Sequence, residues 1–382
     1  MQFELNDEQA ALRDSLSRVL ADRYGFERRR ALAAGADGHC PVTWAQLAEL
    51  GLMGLPVAEA DGGFGARAED LLPVMQELGA ALSLEPYLPL VLGATALRLA
   101  GSPAQRTECL PAVVDGSCRL AWAHDEAAGR HAPWWVQATA CREGDAWVLD
   151  GAKSLVLGAP LANRFVVSAR LSGEASQREG CALFLVDAKA PGVKVRAFQL
   201  VDDSAAGELL LSGARAQALG DATDSARALA AIDGTLAMGI AAICADMTGA
   251  MRAAYRLAVD YLNTRQQFGR LIGQNQALRH RAAEMLVSLE MAKSMAMAAA
   301  VAVDDPASEG AALDLHRAKL SVARHARQLA QHAIQLHGGI GMTEEYAAGH
   351  YLRRIHVLDQ LLGDGDAHAA RLAALLAQES AA

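Results

Sequence analysis

Gln335-Leu336-His337-Gly338-Gly339-Ile340-Gly341-Met342-Thr343 and the upstream stretch Arg265-Gln266-Gln267-Phe268-Gly269 organise this chain. The first stretch ends a long run of apolar residues at helical spacing in a series of glycines, so that backbone N–H groups can come close to a ligand. The second stretch places Arg265 and Phe268 three residues apart, which on one helix is a single face. Because an arginine can bind phosphate through two parallel hydrogen bonds, the two stretches predict a phosphate-bearing cofactor held by helices.

The length and composition indicate a folded protein of several domains. A chain of 382 residues exceeds the size of one average core, which predicts two or three domains. Apolar residues make up 52% and charged residues 21% of the chain, a balance typical of globular proteins rather than disordered ones. The net charge of −9 argues against nucleic-acid binding, which normally needs a basic surface.

Targeting signals are not recognisable in the sequence. No uncharged run of eighteen apolar residues is present, so we expect no membrane insertion. The acidic start at residues 1–8 lacks an apolar signal segment. The six cysteines form no Cys-x-x-Cys pair, which predicts reduced and mostly buried thiols. Together these features predict a cytoplasmic protein.

Residues 1–118 are predicted to form an N-terminal α-helical domain. Asn6-Asp7-Glu8 is a helix start signal, and apolar residues follow it at helical spacing as far as Tyr24. A glycine-rich loop at 61–66 interrupts the pattern. The predicted helices cover 6–24, a segment after Thr43, a segment from Ala68 and two segments within 87–117.

Residues 119–220 are predicted to form a middle antiparallel β-barrel domain. Short runs rich in β-branched and aromatic residues are bounded there by glycine and proline. Runs at this spacing are typical of a small antiparallel sheet or barrel, which we expect to end near Arg215. The predicted strands lie within 134–140, 146–151, 164–169 and 181–186.

Residues 221–382 return to helical periodicity and are predicted to form a C-terminal helical bundle domain. Asp304-Asp305-Pro306 interrupts the pattern, and Pro306 suits the first turn of the helix that follows. The succession of helical, β and helical segments predicts an α+β multi-domain protein. The predicted helices of this last part cover 223–264, 275–303, 308–336, 345–361 and 365–380.

Three other kinds of site are disfavoured. Of four histidines in one helical region only His325 and His332 share a face, and neither a Glu-x-x-His pair nor a His-Glu-x-x-His motif is present, so we predict no metal site. A hydrolase triad lacks its Gly-x-Ser-x-Gly turn. The glycines at 338–341 follow a helix rather than a strand, which argues against the dinucleotide-binding fingerprint.

Several motifs resemble those of the acyl-CoA dehydrogenase family. The Arg265–Gly269 stretch with Ile272 and Gln276, followed by Gln335–Gly341 and Glu345-Tyr346, is similar to the C-terminal signature of that family. The resemblance covers nearly the whole chain. It implies an α-helical domain, a β-barrel domain and a C-terminal four-helix bundle, assembled as dimers or tetramers around FAD. Further similar segments lie at 44–52, 62–65, 77–79 and 147–153.

The resemblance also implies an activity, the α,β-dehydrogenation of an acyl-CoA thioester. In the family a glutamate removes the α-proton, the β-hydride passes to FAD, and an electron-transfer flavoprotein takes the electrons onward. The family's cofactor contacts carry over to this sequence at Arg265, Gln267, Phe268, Ile272, Asn275, Gln276, Gln335, Gly338 and Gly339.

The position of the catalytic base departs from the family. The family's glutamate precedes a Gly-Thr pair, and counting from Tyr346 places Leu362 at that position. Leucine cannot accept a proton. An alternative family position, on the first helix of the bundle, falls at Gly239-Ile240 and again has no carboxylate. Asp364 and Asp366 lie close by, but a shorter side chain at a shifted position would sit poorly for this role.

The pocket for the flavin ring departs as well. Where the family has Thr-Glu-Pro-Gly-x-Gly-Ser, residues 124–130 read His-Asp-Glu-Ala-Ala-Gly-Arg. Where it has Trp-Ile-Thr-Asn, this chain has Leu155-Val156-Leu157-Gly158, and leucine offers neither an aromatic face nor a hydroxyl. In the family these positions serve a subunit's own flavin, whereas the motifs at Arg265 and Gln335 reach the ADP half of the neighbour's flavin.

The kept and lost motifs lead to the hypothesis that this chain is the subunit without the catalytic glutamate in a hetero-oligomeric acyl-CoA dehydrogenase. A homologous base-bearing subunit would supply the base and the ring pocket. Such α2β2 enzymes resemble those that act on steroid side-chain or dicarboxyl CoA esters. Two alternatives stay open: a homo-oligomeric dehydrogenase that uses Asp364 or an unrecognised base, and a flavin-dependent oxidase or monooxygenase on the same fold.

Overall fold

A computed structural model describes residues 5–35, 38–144 and 146–381, so residues 1–4 of the acidic N-terminal stretch lie outside the described residues. The chain divides into two compact units, neither of which is continuous in sequence. One unit comprises Met1–Ala31, Ala68–Ser83 and Ile240–Ala382, and the other comprises Leu32–Arg67 and Leu84–Gly239. The linear domain boundaries after residues 118 and 220 therefore stay predictions.

The described part of the first 118 residues forms helices. They are α1 (Asp7–Arg23), α2 (Phe26–Ala34), α3 (Pro41–Glu49), α4 (Ala68–Ala80), α5 (Tyr87–Ala100) and α6 (Pro103–Val114). α1 begins where predicted because Asn6 forms a capping box: its side chain accepts the Gln9 N–H at 2.8 Å, and the Gln9 side chain accepts the Asn6 N–H at 3.0 Å. α3 begins at Pro41 rather than after Thr43, since proline suits a first helical turn.

The middle of the chain forms a closed barrel, as predicted. Its strands are β1 (Leu120–Ala123), β2 (Thr139–Glu143), β3 (Ala146–Leu157), β4 (Arg164–Arg170), β5 (Cys181–Asp187), β6 (Val193–Gln199) and β7 (Ala205–Ala218). The strands pair in the order β4–β2–β3–β7–β5, and β5 pairs back to β4, which closes the ring. The predicted purely antiparallel order is wrong, because β1 and β2 each pair with β4 in parallel.

The stretch 134–140 is a strand only at its end, contrary to the prediction. β2 begins at Thr139, and Trp134 and Trp135 lie in the preceding loop. The guanidinium of Arg178 lies over the Trp134 ring, 3.9 Å from the ring centroid. A bulky aromatic run predicts a strand, but here a contact with a residue distant in sequence holds the Trp134 ring in a loop.

Inward-facing side chains fill the barrel. β4 and β5 are buried along almost their whole length, and Phe165 and Phe184 are fully buried within this core. Trp147 packs against Phe184 with 5.5 Å between ring centroids. Because packed aromatic side chains bury large apolar areas, this core fixes β3, which carries part of the site described below.

The last part of the chain is helical, as predicted. Its helices are α7 (Ser225–Thr264), α8 (Gln276–Asp304), α9 (Ala311–His337), α10 (Ala347–Gln360) and α11 (Gly365–Ala381). The described region thus has five helices after the barrel, one for each of the five helical segments predicted from the sequence. The role predicted for Pro306 is wrong: α9 begins only at Ala311, and Pro306 lies in the connecting turn.

The largest departure from prediction concerns Arg265–Gly269, which was expected on a helix. α7 ends at Thr264, and the next residues form a hairpin of β8 (Gln266–Gln267) and β9 (Arg270–Leu271). Phe268 and Gly269 have φ angles of 53° and 75°, the left-handed conformation that a two-residue hairpin turn requires. Arg265 and Phe268 therefore do not share a helical face. We call residues 265–271 the finger.

Ion pairs shielded from solvent fix the position of α7 in its unit. Arg354 of α10 binds the fully buried carboxylate of Asp246, with 3.2 Å between Nε and Oδ1. Arg252 binds Glu77 of α4 at 2.7 Å. Gly79 lets α4 approach closely, because a Cβ there would lie 2.1 Å from the carbonyl oxygen of Asp246. Since a buried charge without its partner is costly, these pairs hold the three helices in register.

Two helices, α7 and α8, are long and apolar enough to cross a membrane. Their most apolar windows are 67% and 39% buried inside the chain, respectively. Length and composition do not by themselves assign a membrane span, because core helices pass the same test. The low burial of α8 reflects an outward apolar face that includes Leu286, Val287 and Met291.

Candidate functional site

The finger projects beyond the end of α7 and is fixed at its base by backbone hydrogen bonds. The N–H of Arg265 donates to the carbonyl of Tyr261 at 2.9 Å, and the N–H of Ile272 donates to the carbonyl of Arg265 at 2.9 Å. Residues 263–270 are exposed, and the Phe268 side chain is 102% exposed. The hairpin turn thus holds an aromatic ring entirely in solvent.

The glycine-rich helix end predicted at 335–341 is present. α9 ends at His337, and Gly338–Met342 follow as a 3₁₀ turn. Gly338 has a φ of 67°, a conformation that favours glycine. Gly339 differs in that its φ is not left-handed. A Cβ atom at Gly339 would meet nothing within 4 Å in the described residues, and the same is true of Gly338. The space beside Gly339 is therefore open to a group from outside the chain.

His337 brings the two motifs together. Its ring centroid lies 4.6 Å from that of Tyr261, which stands just before the finger. It lies 4.9 Å from that of Tyr346, which stands just after the glycine turn. The tyrosine before the finger and the tyrosine after the glycine turn therefore contact the same ring.

The predicted contact residues on and after the finger are held by local hydrogen bonds. Gln267 lies in β8, and its side-chain amide donates to the carbonyl of Gln266 at 2.7 Å. Asn275 precedes α8 and accepts a hydrogen bond from Nη2 of Arg270 at 2.7 Å. Arg270 was not predicted, because no motif in the sequence links it to Asn275.

The remaining predicted contact residues lie at the ends of the neighbouring helices. They are Ile272 in the 3₁₀ turn before α8, Gln276 at the first residue of α8, and Gln335 on the exposed side of the last turn of α9. The structure brings all of these residues to the region around the finger and the ends of α8 and α9.

The turn after α10 contains Leu362, the position assigned to the catalytic base by resemblance. Leu362 and Gly363 have left-handed φ angles of 59° and 106°. Buried Lys319 of α9 holds the turn, because its Nζ donates to the carbonyls of Leu358, Asp359 and Gly363 at 3.0, 2.8 and 3.0 Å. Burial lowers the pKa of Lys319 to about 8. Lys319 was not predicted to hold this turn. The signal in the sequence was a lysine at a position of α9 where the helical spacing calls for an apolar residue.

Two histidines support the same turn. Nε2 of His368 lies 3.2 Å from the carbonyl oxygen of Leu362 and must donate, because a carbonyl only accepts. Nδ1 of His368 therefore accepts from the Nδ1–H of His316 at 3.0 Å. Burial lowers the pKa of His316 to about 4 and that of His368 to about 3, so both rings are neutral at pH 7. His368 thus bonds to the backbone of the turn, and His316 bonds to the ring of His368.

The two aspartates near this turn lie at the start of α11. Oδ1 of Asp364 accepts the N–H of Ala367 at 2.8 Å and caps the start of α11. Asp366 is exposed in the first turn of α11, where an acidic side chain favours the helix dipole. The alternative base position on α7 carries Gly239-Ile240. Asp364 is therefore the N-cap of α11.

A buried ion pair occupies the part of the barrel that corresponds to the ring-pocket motif. Lys153 on β3 is 0% exposed, and its Nζ donates to Oε1 of Glu126 at 2.7 Å. The same Nζ donates to the carbonyl of His124 at 3.2 Å and to Oγ of Ser168 at 3.1 Å. The Glu126 carboxylate also accepts two backbone N–H groups of the loop before β2, at 2.7 and 2.9 Å. Both charges are therefore satisfied within the chain.

His124 is held by the same network. Its Nε2 lies 2.7 Å from the carbonyl oxygen of Pro133 and must donate, so its Nδ1 accepts the hydroxyl proton of Ser168 at 2.8 Å. Burial lowers the pKa of His124 to about 4, and the ring stacks on Trp122 with 5.2 Å between centroids. Both nitrogens of this residue are therefore used inside the chain.

Acid should destabilise the protein through His124. The ordinary pKa of histidine is 6.5 and the folded value is about 4, so the unfolded state takes up the proton first and stability falls as the pH drops below 6.5. At pH 5 the loss due to this residue is about 2 kcal/mol. Urea unfolding at pH 7 and pH 5 should show a smaller difference for His124→Gln, and exposed His356→Gln serves as the control. Equal differences in wild type and His124→Gln would contradict this assignment.

Leu155 and Leu157 lie where β3 is irregular. The register of β3 against β7 shifts between Lys153 and Val156, and Leu155 has a φ of 52°. Both leucines are only partly buried. Their side chains can contact apolar atoms at this bulge, but they offer no hydrogen bond to the polar edge of a ring.

The cysteines and other possible metal ligands form no candidate site in the described residues. No group of three or more His, Cys, Asp and Glu side chains there could hold a metal ion. All six cysteines are free thiols. Cys141 is exposed and Cys118 is partly exposed, whereas the other four are buried.

Three domain families match successive parts of the chain. They are the N-terminal, middle and C-terminal domains of acyl-CoA dehydrogenase, which match residues 6–117, 125–212 and 229–376. Acyl-CoA dehydrogenase FadE12 of Mycobacterium tuberculosis (strain ATCC 25618 / H37Rv) is 31% identical over 353 residues, which are 90% of this chain and 89% of that protein.

Two solved structures of related proteins superpose on nearly the whole chain. The Tcur3481-Tcur3483 steroid ACAD G363A variant has a TM-score of 0.88 and 30% identity, covering 98% of this chain and 99% of that chain. The ChsE4-ChsE5 complex from Mycobacterium tuberculosis has a TM-score of 0.87 and 25% identity, covering 99% of each chain. The chain therefore belongs to the acyl-CoA dehydrogenase family of FAD-dependent oxidoreductases.

Proposed function

We propose that this chain is the subunit without the catalytic glutamate in a hetero-oligomeric acyl-CoA dehydrogenase. Its finger and glycine turn would hold the ADP half of an FAD whose ring lies in a homologous, base-bearing subunit. When bound, FAD accepts the hydride that leaves the β-carbon of the acyl-CoA. An electron-transfer flavoprotein would then receive the electrons. The proposed location of the complex is the cytoplasm, as predicted from the sequence.

The observation that carries this proposal is the full exposure of Phe268. Burying a side chain of this size stabilises a protein by about 1.5–3 kcal/mol, and this chain leaves that contribution unused. The left-handed φ of Phe268 adds a conformational cost. Both costs are explained if a planar apolar group from outside the chain covers the ring, and the adenine of a dinucleotide is such a group.

The surroundings of Phe268 suit the phosphates of the same ligand. Arg265 is exposed at the base of the finger, and a guanidinium binds phosphate oxygens through paired charge-assisted hydrogen bonds. Gly338 and Gly339 lie in open space, so backbone N–H groups of this turn can approach a ligand. Gln335 is exposed at the adjoining helix end and adds an amide. These residues fit the ADP half of FAD.

The residues at the positions of the family's base and flavin-ring pocket do not match the chemistry that those positions need. Leu362 replaces the base, and Asp364 caps α11. In the barrel, His124 and Glu126 have their polar atoms bonded inside the chain, and Leu155 has replaced an aromatic ring that would cover the flavin. This division supports a partner that supplies both the proton acceptor and the ring pocket.

α8 offers a contact surface for such a partner. The helix begins directly after the finger and exposes Leu286, Val287 and Met291, which are 41%, 63% and 49% exposed. Apolar side chains on neighbouring turns of one helix form a stripe that is buried when a second apolar surface packs on it. A partner that packs on this stripe would bury side chains that lie about 15–22 Å along α8 from its first residue.

The related structures support the choice of partner and substrate. The descriptions of both structures name two proteins, ChsE4 with ChsE5 and Tcur3481 with Tcur3483. The Tcur3481-Tcur3483 structure is described as a steroid ACAD. We infer that this chain likewise assembles with a second, homologous acyl-CoA dehydrogenase chain. A steroid-derived acyl-CoA is the substrate class that we propose, and a fatty acyl-CoA is the alternative.

The test is to purify the chain alone and together with a homologous chain that carries a glutamate before its Gly-Thr pair. We expect the pair to bind FAD and to reduce an artificial electron acceptor with a steroid side-chain acyl-CoA, whereas the lone chain should do neither. Full FAD occupancy and turnover by the lone chain would refute the proposal. Loss of that turnover in Asp364→Asn would favour the homo-oligomeric alternative, and oxygen consumption would favour an oxidase.

A further inference from the structure

His337 has an unusual environment for a residue at the end of a helix. It is 4% exposed and lies between the rings of Tyr261 and Tyr346. Its Nδ1 lies 2.7 Å from the carbonyl oxygen of Ala333, so this nitrogen carries the proton. Nε2 is buried without a hydrogen-bond partner in the described residues. A buried acceptor without a donor is costly, which calls for an explanation of this ring.

The position of His337 gives that explanation. The carbonyl of Tyr261 accepts the N–H of Arg265 at the base of the finger. A contact that holds the Tyr261 ring in place therefore also helps to hold the base of the finger. On its other side, the main chain of His337 continues directly into the glycine turn, and Tyr346 follows that turn. One ring therefore sets the spacing between the two motifs.

We propose that His337 is a positioning residue that holds the finger and the glycine turn at the separation needed to contact one dinucleotide. This inference rests on the proposed function and deepens it, because it names what couples the two halves of the ADP site. The ring acts as a spacer between two tyrosines, and the Nδ1 hydrogen bond to Ala333 fixes its rotation about the helix end.

The ring performs this role in its neutral form. Burial lowers the pKa of His337, and the hydrogen bond to the carbonyl of Ala333 opposes that effect. Burial raises the pKa of the neighbouring Tyr346, and Tyr261 and Asp260 of α7 add to that effect. A neutral aromatic spacer explains why a ring is found here and why phenylalanine should replace it better than a small side chain.

The experiment compares cofactor affinity in the assembly purified through a tag on this chain. His337→Ala should weaken FAD binding at least about tenfold, which corresponds to about 1.4 kcal/mol, whereas His337→Phe should stay within about threefold of wild type. Riboflavin, which lacks the whole ADP half, should bind equally well to all three. His332→Ala, on the same helix and less buried, is the control and should bind FAD normally.

The riboflavin measurement separates positioning from general damage. If His337→Ala weakens the binding of riboflavin and FAD equally, the residue is only structural and the inference is wrong. The inference is also wrong if His337→Ala retains wild-type FAD affinity while Arg265→Ala loses it, an outcome that leaves the proposed function standing. If neither variant changes FAD binding, the proposed function itself fails.

Discussion

Arg265→Ala should leave the chain folded and remove most of the FAD from the assembly. Arg265 is exposed at the base of the finger, so its loss creates no cavity and should change the free energy of unfolding little. Hydrogen bonds to a charged group contribute about 1.5–3 kcal/mol, which is about a tenfold to hundredfold change in affinity. Flavin absorbance per assembly after gel filtration, with urea unfolding of the same samples, measures both quantities.

Matched variants sharpen this prediction. Arg18→Ala removes an exposed arginine from α1 and should retain the flavin. Phe268→Ser should lose flavin, and it should also make the chain alone more soluble, since the ring is exposed there. Normal flavin content in Arg265→Ala would remove the phosphate contact from the proposal, and normal content in both variants would show that the finger does not touch the cofactor.

Lys153→Met should destabilise the chain by about 3–5 kcal/mol. Lys153 and Glu126 form a fully buried ion pair, and removal of one partner leaves the other charge without compensation. The free energy of unfolding in urea at pH 7 measures this loss. Lys194→Met, at an exposed position of β6, is the control and should stay within about 0.5 kcal/mol of wild type.

A double variant tests the physical reason for the Lys153 effect. If the loss comes from the unpaired carboxylate, the combination of Lys153→Met and Glu126→Gln should recover part of the stability. If the loss comes only from packing, the double variant should be at least as unstable as Lys153→Met. The second result would show that the pair is not a coupled charge network.

The long helices could be predicted from the sequence because their signals are local. Asn6 with Gln9 at the third position makes a capping box, and the structure forms it. α8 and α9 carry apolar residues at helical spacing over several turns, so single residues do not change the prediction. The barrel was predicted for a similar reason, because glycines and prolines bound short runs of β-branched residues.

The finger could not be predicted in the same way. Phe-Gly is not a preferred pair for a two-residue hairpin turn, since Asn-Gly and Asp-Gly dominate there. The three-residue spacing of Arg265 and Phe268 also fits a helix, so the prediction followed the neighbouring helix. The loop position of Trp134 depends on Arg178, which is far from it in sequence. Contacts of that kind leave no local pattern.

The supports of the candidate site were missed for a related reason. Lys319 and His368 act on the turn at Leu362 from other helices, and only the folded chain brings them there. Arg265 and Gln335 could be proposed as cofactor contacts from the sequence, because each belongs to a motif of neighbouring residues. Their geometry, including the position of the His337 ring between Tyr261 and Tyr346, came only from the structure.

The projecting finger has a consequence for how the cell must make this protein. A chain that displays an uncovered phenyl ring and an apolar helix stripe is prone to self-association and to chaperone binding for as long as both stay uncovered. If the proposed second subunit covers them, this chain should aggregate when it is expressed without that subunit and stay in solution when the two are expressed together.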